Sequence, residues 1–65
     1  MTAKDQLKVM RKGFTIIRAD VHNLLIKYKD EKTLHWKTLE NAFVSKAQLQ
    51  RRMTWLLESS NIIED

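Results

Sequence analysis

Two histidines, His22 and His35, are the only side chains that titrate near neutral pH without a perturbing environment. Asp20 precedes His22 by two residues, and a carboxylate beside an imidazole could work as an acid-base pair. The sequence contains no cysteine, no HExxH motif and no glycine-rich phosphate loop, so neither a nucleophile nor a metal-ligand pattern accompanies this pair. We therefore interpret Asp20 as a turn or capping residue and expect a protein without catalytic activity, cofactor, metal or small-molecule substrate.

A lysine-rich segment, "LLIKYKDEKTLHWKTL" at residues 24–39, offers different chemistry. If it forms two adjacent strands, the alternation of side chains places Lys27, Lys29, His35 and Lys37 on one face of a sheet. Strands about 5 Å apart would let these cations follow a phosphate backbone or enter a major groove. The competing interpretation is that an uncovered sheet face must be polar, and that its lysines prevent edge pairing and aggregation.

A second candidate is "QLQRRMTW" at residues 48–55. If the leucines of this segment face the core of a helical packing, Trp55 lies well off that face, beside Arg51 and Arg52. An exposed tryptophan next to arginines is typical of protein-binding hot spots and of stacking sites for nucleic acid. The alternative is that Trp55 packs under the N-terminal helix, with arginine stems over its indole as a cation-π contact.

The overlapping segment "FVSKAQLQRRM" resembles the second half of a helix-turn-helix. Its recognition helix would display Lys46, Gln48, Gln50, Arg51 and Arg52. This interpretation requires residues 33–43 to be helical, and the bulky Phe43 occupies the position where the turn usually has glycine. It belongs with an all-α bundle as the alternative fold.

Two helices are needed to position these residues, and apolar periodicity indicates both. Ala3, Leu7 and Met10 recur at helical spacing, which predicts a helix over about residues 3–12 that Gly13 ends. Ser45 begins a capping box with Gln48, which predicts a second helix over about residues 45–58. Its apolar stripe consists of Leu49, Met53, Leu56 and Leu57.

Residues between the helices are rich in Thr, Ile, Tyr and Trp, a composition that favours strands at about residues 14–18, 24–29 and 33–39. A hairpin with Tyr28 opposite Leu34 and Ile26 opposite Trp36 would turn at "DEK". One apolar face would then hold Leu24, Ile26, Tyr28, Leu34, Trp36 and Thr38. The predicted fold is a small single α+β domain: an N-terminal helix, a three-stranded antiparallel sheet, a C-terminal helix packed on the sheet, and a possible last strand at residues 61–63.

Composition limits the possible functions. The 65 residues carry a formal net charge of +4, which favours acidic partners, and they lack the apolar run of a signal peptide or membrane span. The absence of cysteine suits a reducing cytoplasm, so we expect a cytoplasmic protein with no membrane partner. By analogy of fold alone, three antiparallel strands followed by a helix is a topology that some DNA-binding domains use.

The sequence therefore predicts a small basic binding module that contacts nucleic acid through its sheet face and its C-terminal helix. The candidate contacts are Lys27, Lys29, His35, Lys37, Lys46, Arg51, Arg52 and Trp55. The alternative is a protein-interaction module or homodimer that uses Trp55 and the sheet edge.

Overall fold

A computed structural model of the chain describes residues 1–65, and its first element is helix α1, Ala3–Arg11. Thr2 caps this helix, because its side-chain oxygen accepts a hydrogen bond from the amide of Asp5 at 3.1 Å. Gly13 has φ +96°, in the left-handed region that glycine adopts without strain, and its amide donates to the carbonyl of Met10 at 3.0 Å. The glycine stop predicted from the sequence is confirmed.

Four strands form one mixed sheet. They are β1 (Thr15–Asp20), β2 (Leu25–Lys29), β3 (Lys37–Glu40) and β4 (Ile62–Glu64), and they lie in the order β3-β2-β1-β4. The pairs β1–β2 and β2–β3 are antiparallel, whereas β4 runs parallel to β1. The short final strand expected near the end of the chain is therefore present, and it makes β1 a central strand.

Helix α2, Lys46–Leu56, covers one face of the sheet. The side chain of Ser45 accepts a hydrogen bond from the amide of Gln48 at 3.1 Å, as the capping pattern predicted. Five buried side chains join this helix to the two central strands: Ile17, Ile26, Leu49, Met53 and Leu56. The all-α alternative and its helix-turn-helix are wrong, because residues 33–43 contain strand β3 and no helix.

Helix α1 lies on the other face of the sheet. Ile16 alternates with Ile17 along β1, so it faces away from α2, and it is fully buried together with Met10 of α1. The side chain of Gln6 on α1 accepts a hydrogen bond from Lys29, the residue opposite Ile16 on β2. Neither helix has the length and apolar composition needed to cross a bilayer.

The predicted register of the second hairpin is wrong. Tyr28 lies opposite Lys37 rather than Leu34, and Ile26 lies opposite Glu40 rather than Trp36, with a bulge between the pairs. The connection is longer than the three residues expected, because the side chain of Asp30 accepts hydrogen bonds from two backbone amides of the loop. Strand β3 consequently begins at residue 37, and neither Leu34 nor Trp36 belongs to the core cluster under α2.

Candidate nucleic-acid interface

Lys27 and Lys29 of β2 lie on the sheet face opposite α2, because they alternate with the buried Ile26. Both are engaged by neighbouring side chains. The Lys27 Nζ lies 3.7 Å from Asp20 Oδ2, and the Lys29 Nζ donates to Gln6 Oε1 at 2.9 Å. These lysines are therefore held in position at the surface rather than left free.

Arg18 and Trp36 complete a cationic and aromatic cluster on this face. The guanidinium carbon of Arg18 lies 4.7 Å from the centroid of the Trp36 ring, and the Lys29 Nζ lies 5.5 Å from it. We call Arg18, Lys27, Lys29 and Trp36 the Trp36 patch. Sequence reasoning missed Arg18 and assigned Trp36 to the core. The alternation of side chains along β1 could have identified Arg18, because it places Arg18 on the face opposite the buried Ile17.

A part-buried polar network lies between this patch and α1. The Nε2 of Gln6 donates to Asp65 Oδ1 at 2.7 Å, and Asp65 also pairs with Arg18. The amino group of Met1 lies 3.6 Å from the same carboxylate. The hydrogen bond from Gln6, and then the hydrogen bond and charge of Arg18, lower the pKa of Asp65. The carboxylate therefore stays ionised at neutral pH and fixes one edge of the Arg18 guanidinium.

The outer surface of α1 and its C-cap residue carry four more cations, which we call the α1 stripe: Lys4, Lys8, Arg11 and Lys12. All four are exposed, and none forms an ion pair. Lys4, Lys8 and Arg11 follow one another at helical spacing, so they form a row about 10 Å long. With the three cations of the Trp36 patch, this side of the sheet carries seven of the twelve basic residues of the chain.

Two of the predicted contacts on the hairpin do not join this face. Lys37 lies opposite Tyr28, which packs against the core cluster, so Lys37 is on the α2 side of the sheet. His35 is exposed in the bend that precedes β3. The prediction that one sheet face holds all four hairpin cations is therefore wrong, and the cause is the register of β3.

The predicted contacts on α2 also lie on the far side from α1. Arg52 makes three hydrogen bonds to the carboxylate of Glu40 at 2.8 to 3.0 Å, and these raise the pKa of Arg52. Its guanidinium carbon lies 4.2 Å from the Trp55 ring centroid, and Trp55 remains 57% exposed. The expected cation-π contact is confirmed, but packing of Trp55 under α1 is wrong. Arg51 and Lys46 are exposed on the same helix without an ion pair.

Asp20 and His22 do not form a pair. The carboxylate of Asp20 accepts hydrogen bonds from the amide and side chain of Asn23 and from the backbone amide of His22. The side-chain hydrogen bond from Asn23 makes the largest contribution to lowering the pKa of Asp20. The interpretation of Asp20 as a turn residue is confirmed.

One open cleft of about 470 Å³ lies between the Gly13 turn and the loop at Asp30 and Glu31. The carboxylate of Asp30 is turned into its own loop, where its hydrogen bond from the amide of Thr33 lowers its pKa. No group of three or more potential metal-ligating side chains lies together.

Comparison of the chain with protein-family models, curated proteins and solved structures finds no match. The functional interpretation therefore depends on the geometry and charge described above.

Proposed function

We propose that this protein is a small non-enzymatic module that binds nucleic acid with the α1 side of its sheet. The observation that carries the proposal is the uneven distribution of charge: seven of twelve basic residues lie on this side, and the four of the α1 stripe have no acidic partner. This arrangement favours binding of nucleic acid, because each phosphate neutralised by a lysine or arginine releases condensed counterions and so increases the affinity. The cysteine-free sequence is compatible with this role in a reducing cytoplasm.

The proposed surface differs from the one predicted from the sequence. Lys27 and Lys29 keep a place in it, whereas Lys37, Arg52 and Trp55 lie on the α2 side. Arg52 pairs with Glu40, as Arg18 pairs with Asp65 and Lys27 with Asp20, so none of these three cations adds much net charge at a distance. In this proposal, the main electrostatic contact with nucleic acid is the α1 stripe rather than the basic residues of α2.

A protein partner or a second copy of the chain is the other candidate, and the exposed Trp55 favours it. The sheet edge and the separation of the exposed apolar residues oppose it. At the β3 edge of the sheet, the bulge and Lys37 both discourage strand addition, and the other edge is the three-residue strand β4. Val44 is 84% exposed, but it precedes α2, whereas Trp55 lies in the last turn of that helix, about 13 Å along the axis from its first residue, so the two do not form one apolar patch. Sedimentation velocity tests this candidate: a dimer that Trp55→Ser abolishes would support it.

Two matched variants test the nucleic-acid proposal. Lys8→Gln with Arg11→Gln removes two cations from α1, and Lys46→Gln with Arg51→Gln removes two from α2. All four residues are exposed, so both variants should fold, which circular dichroism verifies. Fluorescence anisotropy of labelled DNA and RNA, titrated at several salt concentrations, compares their affinities.

We expect the α1 variant to bind more weakly and to lower the slope of log K against log salt by about 2, or about 1 for each phosphate that is no longer neutralised. The α2 variant has the same net charge and should retain most of the wild-type slope. Equal losses in both variants, or a larger loss in the α2 variant, would contradict the proposed surface. No binding by the wild type at low salt would contradict the function itself.

A further inference from the structure

The surroundings of the two indoles bear on the type of nucleic acid that this surface fits. Single strands are usually held by bases that stack on exposed aromatic rings. Trp36 is the only tryptophan on the α1 side, and its ring already lies under Arg18 at 4.7 Å and Lys29 at 5.5 Å. A base that stacks on a ring face covered by one of these cations must displace that cation. Trp55 is on the opposite side of the sheet, with Arg52 over its ring.

Arg18 is oriented in a way that suits a phosphate group. Its guanidinium carbon lies over the Trp36 ring, 4.7 Å from the centroid, and Asp65 accepts a hydrogen bond from one of its terminal nitrogens. That is the only hydrogen bond of the Arg18 side chain within the protein, so four of its five N–H donors remain available. Its side chain is 51% exposed. A guanidinium fixed in this way loses little conformational entropy when it binds a phosphate through two parallel hydrogen bonds.

The α1 stripe adds a regular row of charge beside this arginine. Its row of about 10 Å lies on a rigid helix, and a duplex presents one negative charge for about every 1.7 Å of its axis. A duplex keeps its phosphates at a regular spacing without any base having to stack on the protein. The rigid cationic row and the two cations over the indole therefore favour the same type of ligand.

We infer that the ligand is double-stranded nucleic acid held by its phosphate backbone, with Arg18 as the positioned contact and the α1 stripe beside it. This inference depends on the proposed function, since it specifies the polymer that the same surface binds. Trp36 and Asp65 act through Arg18: they orient its guanidinium and do not touch the nucleic acid.

The first experiment compares four labelled probes of one sequence: duplex DNA, duplex RNA and the two corresponding single strands. Anisotropy titrations at one salt concentration should give duplex affinities about tenfold or more above those of the single strands. Tighter binding of either duplex supports the inference, and the ratio between them tells whether B-form or A-form backbone fits better. Single-strand binding equal to or tighter than duplex binding overturns the inference and leaves the proposed function standing. Absence of binding to all four probes overturns both.

The second experiment tests Arg18 with a charge-conserving change. Arg18→Lys keeps the positive charge but removes the planar fork, so duplex affinity should fall about fivefold to tenfold. Arg51→Lys on α2 is the matched control and should bind as the wild type does. Trp36→Leu removes the platform under Arg18 and should reduce duplex affinity in the same direction, with thermal unfolding as the check on folding. Wild-type affinity in Arg18→Lys, or an equal reduction in the control, would overturn the role given to Arg18.

Discussion

Three residues other than glycine have a left-handed backbone: Leu24 at φ +50°, Leu34 at φ +56° and Ala42 at φ +63°. For L-amino acids this conformation costs roughly 1–2 kcal/mol. At Leu24, packing against the core cluster offsets this conformational cost, whereas Leu34 and Ala42 are exposed. The strain at Ala42 lies between β3 and α2, where the chain leaves the sheet and crosses to the helix.

Ala42→Asn should stabilise the protein by about 0.5 kcal/mol, because asparagine tolerates the left-handed region better than alanine. Urea unfolding measures the change. Ala47→Asn is the matched control on the exposed side of α2, and it should destabilise by about 0.5 kcal/mol through lower helix propensity. Destabilisation by both substitutions would contradict the strain assigned to Ala42.

Asp65 makes stability depend on pH. Because the hydrogen bond from Gln6 and the neighbouring Arg18 lower its pKa, the folded state binds this proton more weakly than the unfolded chain does. The contribution is complete above the unfolded pKa of about 3.9 and disappears as pH falls through the lower, folded pKa.

Asp65→Asn should therefore unfold more easily than the wild type above about pH 5, and the difference in free energy of unfolding should shrink as pH is lowered toward about 2. Urea unfolding at several pH values measures this difference. Gln6→Met should reduce the same pH-dependent difference, because it removes the largest contribution to the lowered pKa. A difference between wild type and Asp65→Asn that does not change with pH would contradict the role of Asp65.

At the level of elements, α2 depends on its N-terminal cap. Ser45→Ala removes the hydrogen bond to the amide of Gln48 and should destabilise the protein by about 1 kcal/mol in thermal or urea unfolding. Ser59→Ala is the control, because Ser59 is exposed and its side chain makes no hydrogen bond. Equal effects of the two substitutions would show that the cap does not hold the helix.

Caps and apolar periodicity predicted both helices, since those signals are local. The register of β3 could not be predicted in the same way. It depends on a loop organised by the side chain of Asp30 and on a positive φ at Leu34, a residue type that gives no sign of that conformation. The lysines of β2 could be placed by simple alternation. The environment of Arg18 could not, because Asp65 reaches it only when β4 docks beside β1.

For the molecule as a whole, the main consequence is an electrostatic difference between the two sides of one sheet. Cation-exchange chromatography should detect it without any ligand, because the protein adsorbs through its most basic surface. The variant with Lys8→Gln and Arg11→Gln should elute at lower salt than the one with Lys46→Gln and Arg51→Gln, although both lose the same charge. Coelution of the two would contradict the asymmetry.

The parallel pairing of β4 with β1 joins Thr15 to Ile62, so this part of the sheet closes a loop that contains most of the chain. Loop closure of this length costs more entropy than the β1–β2 hairpin, whose strands are joined by a short turn. We therefore expect the last strand to detach from the sheet before the β1–β2 hairpin opens. The amide proton of Thr15, bonded to the carbonyl of Asn61, should exchange with solvent sooner than the amide protons shared by β1 and β2.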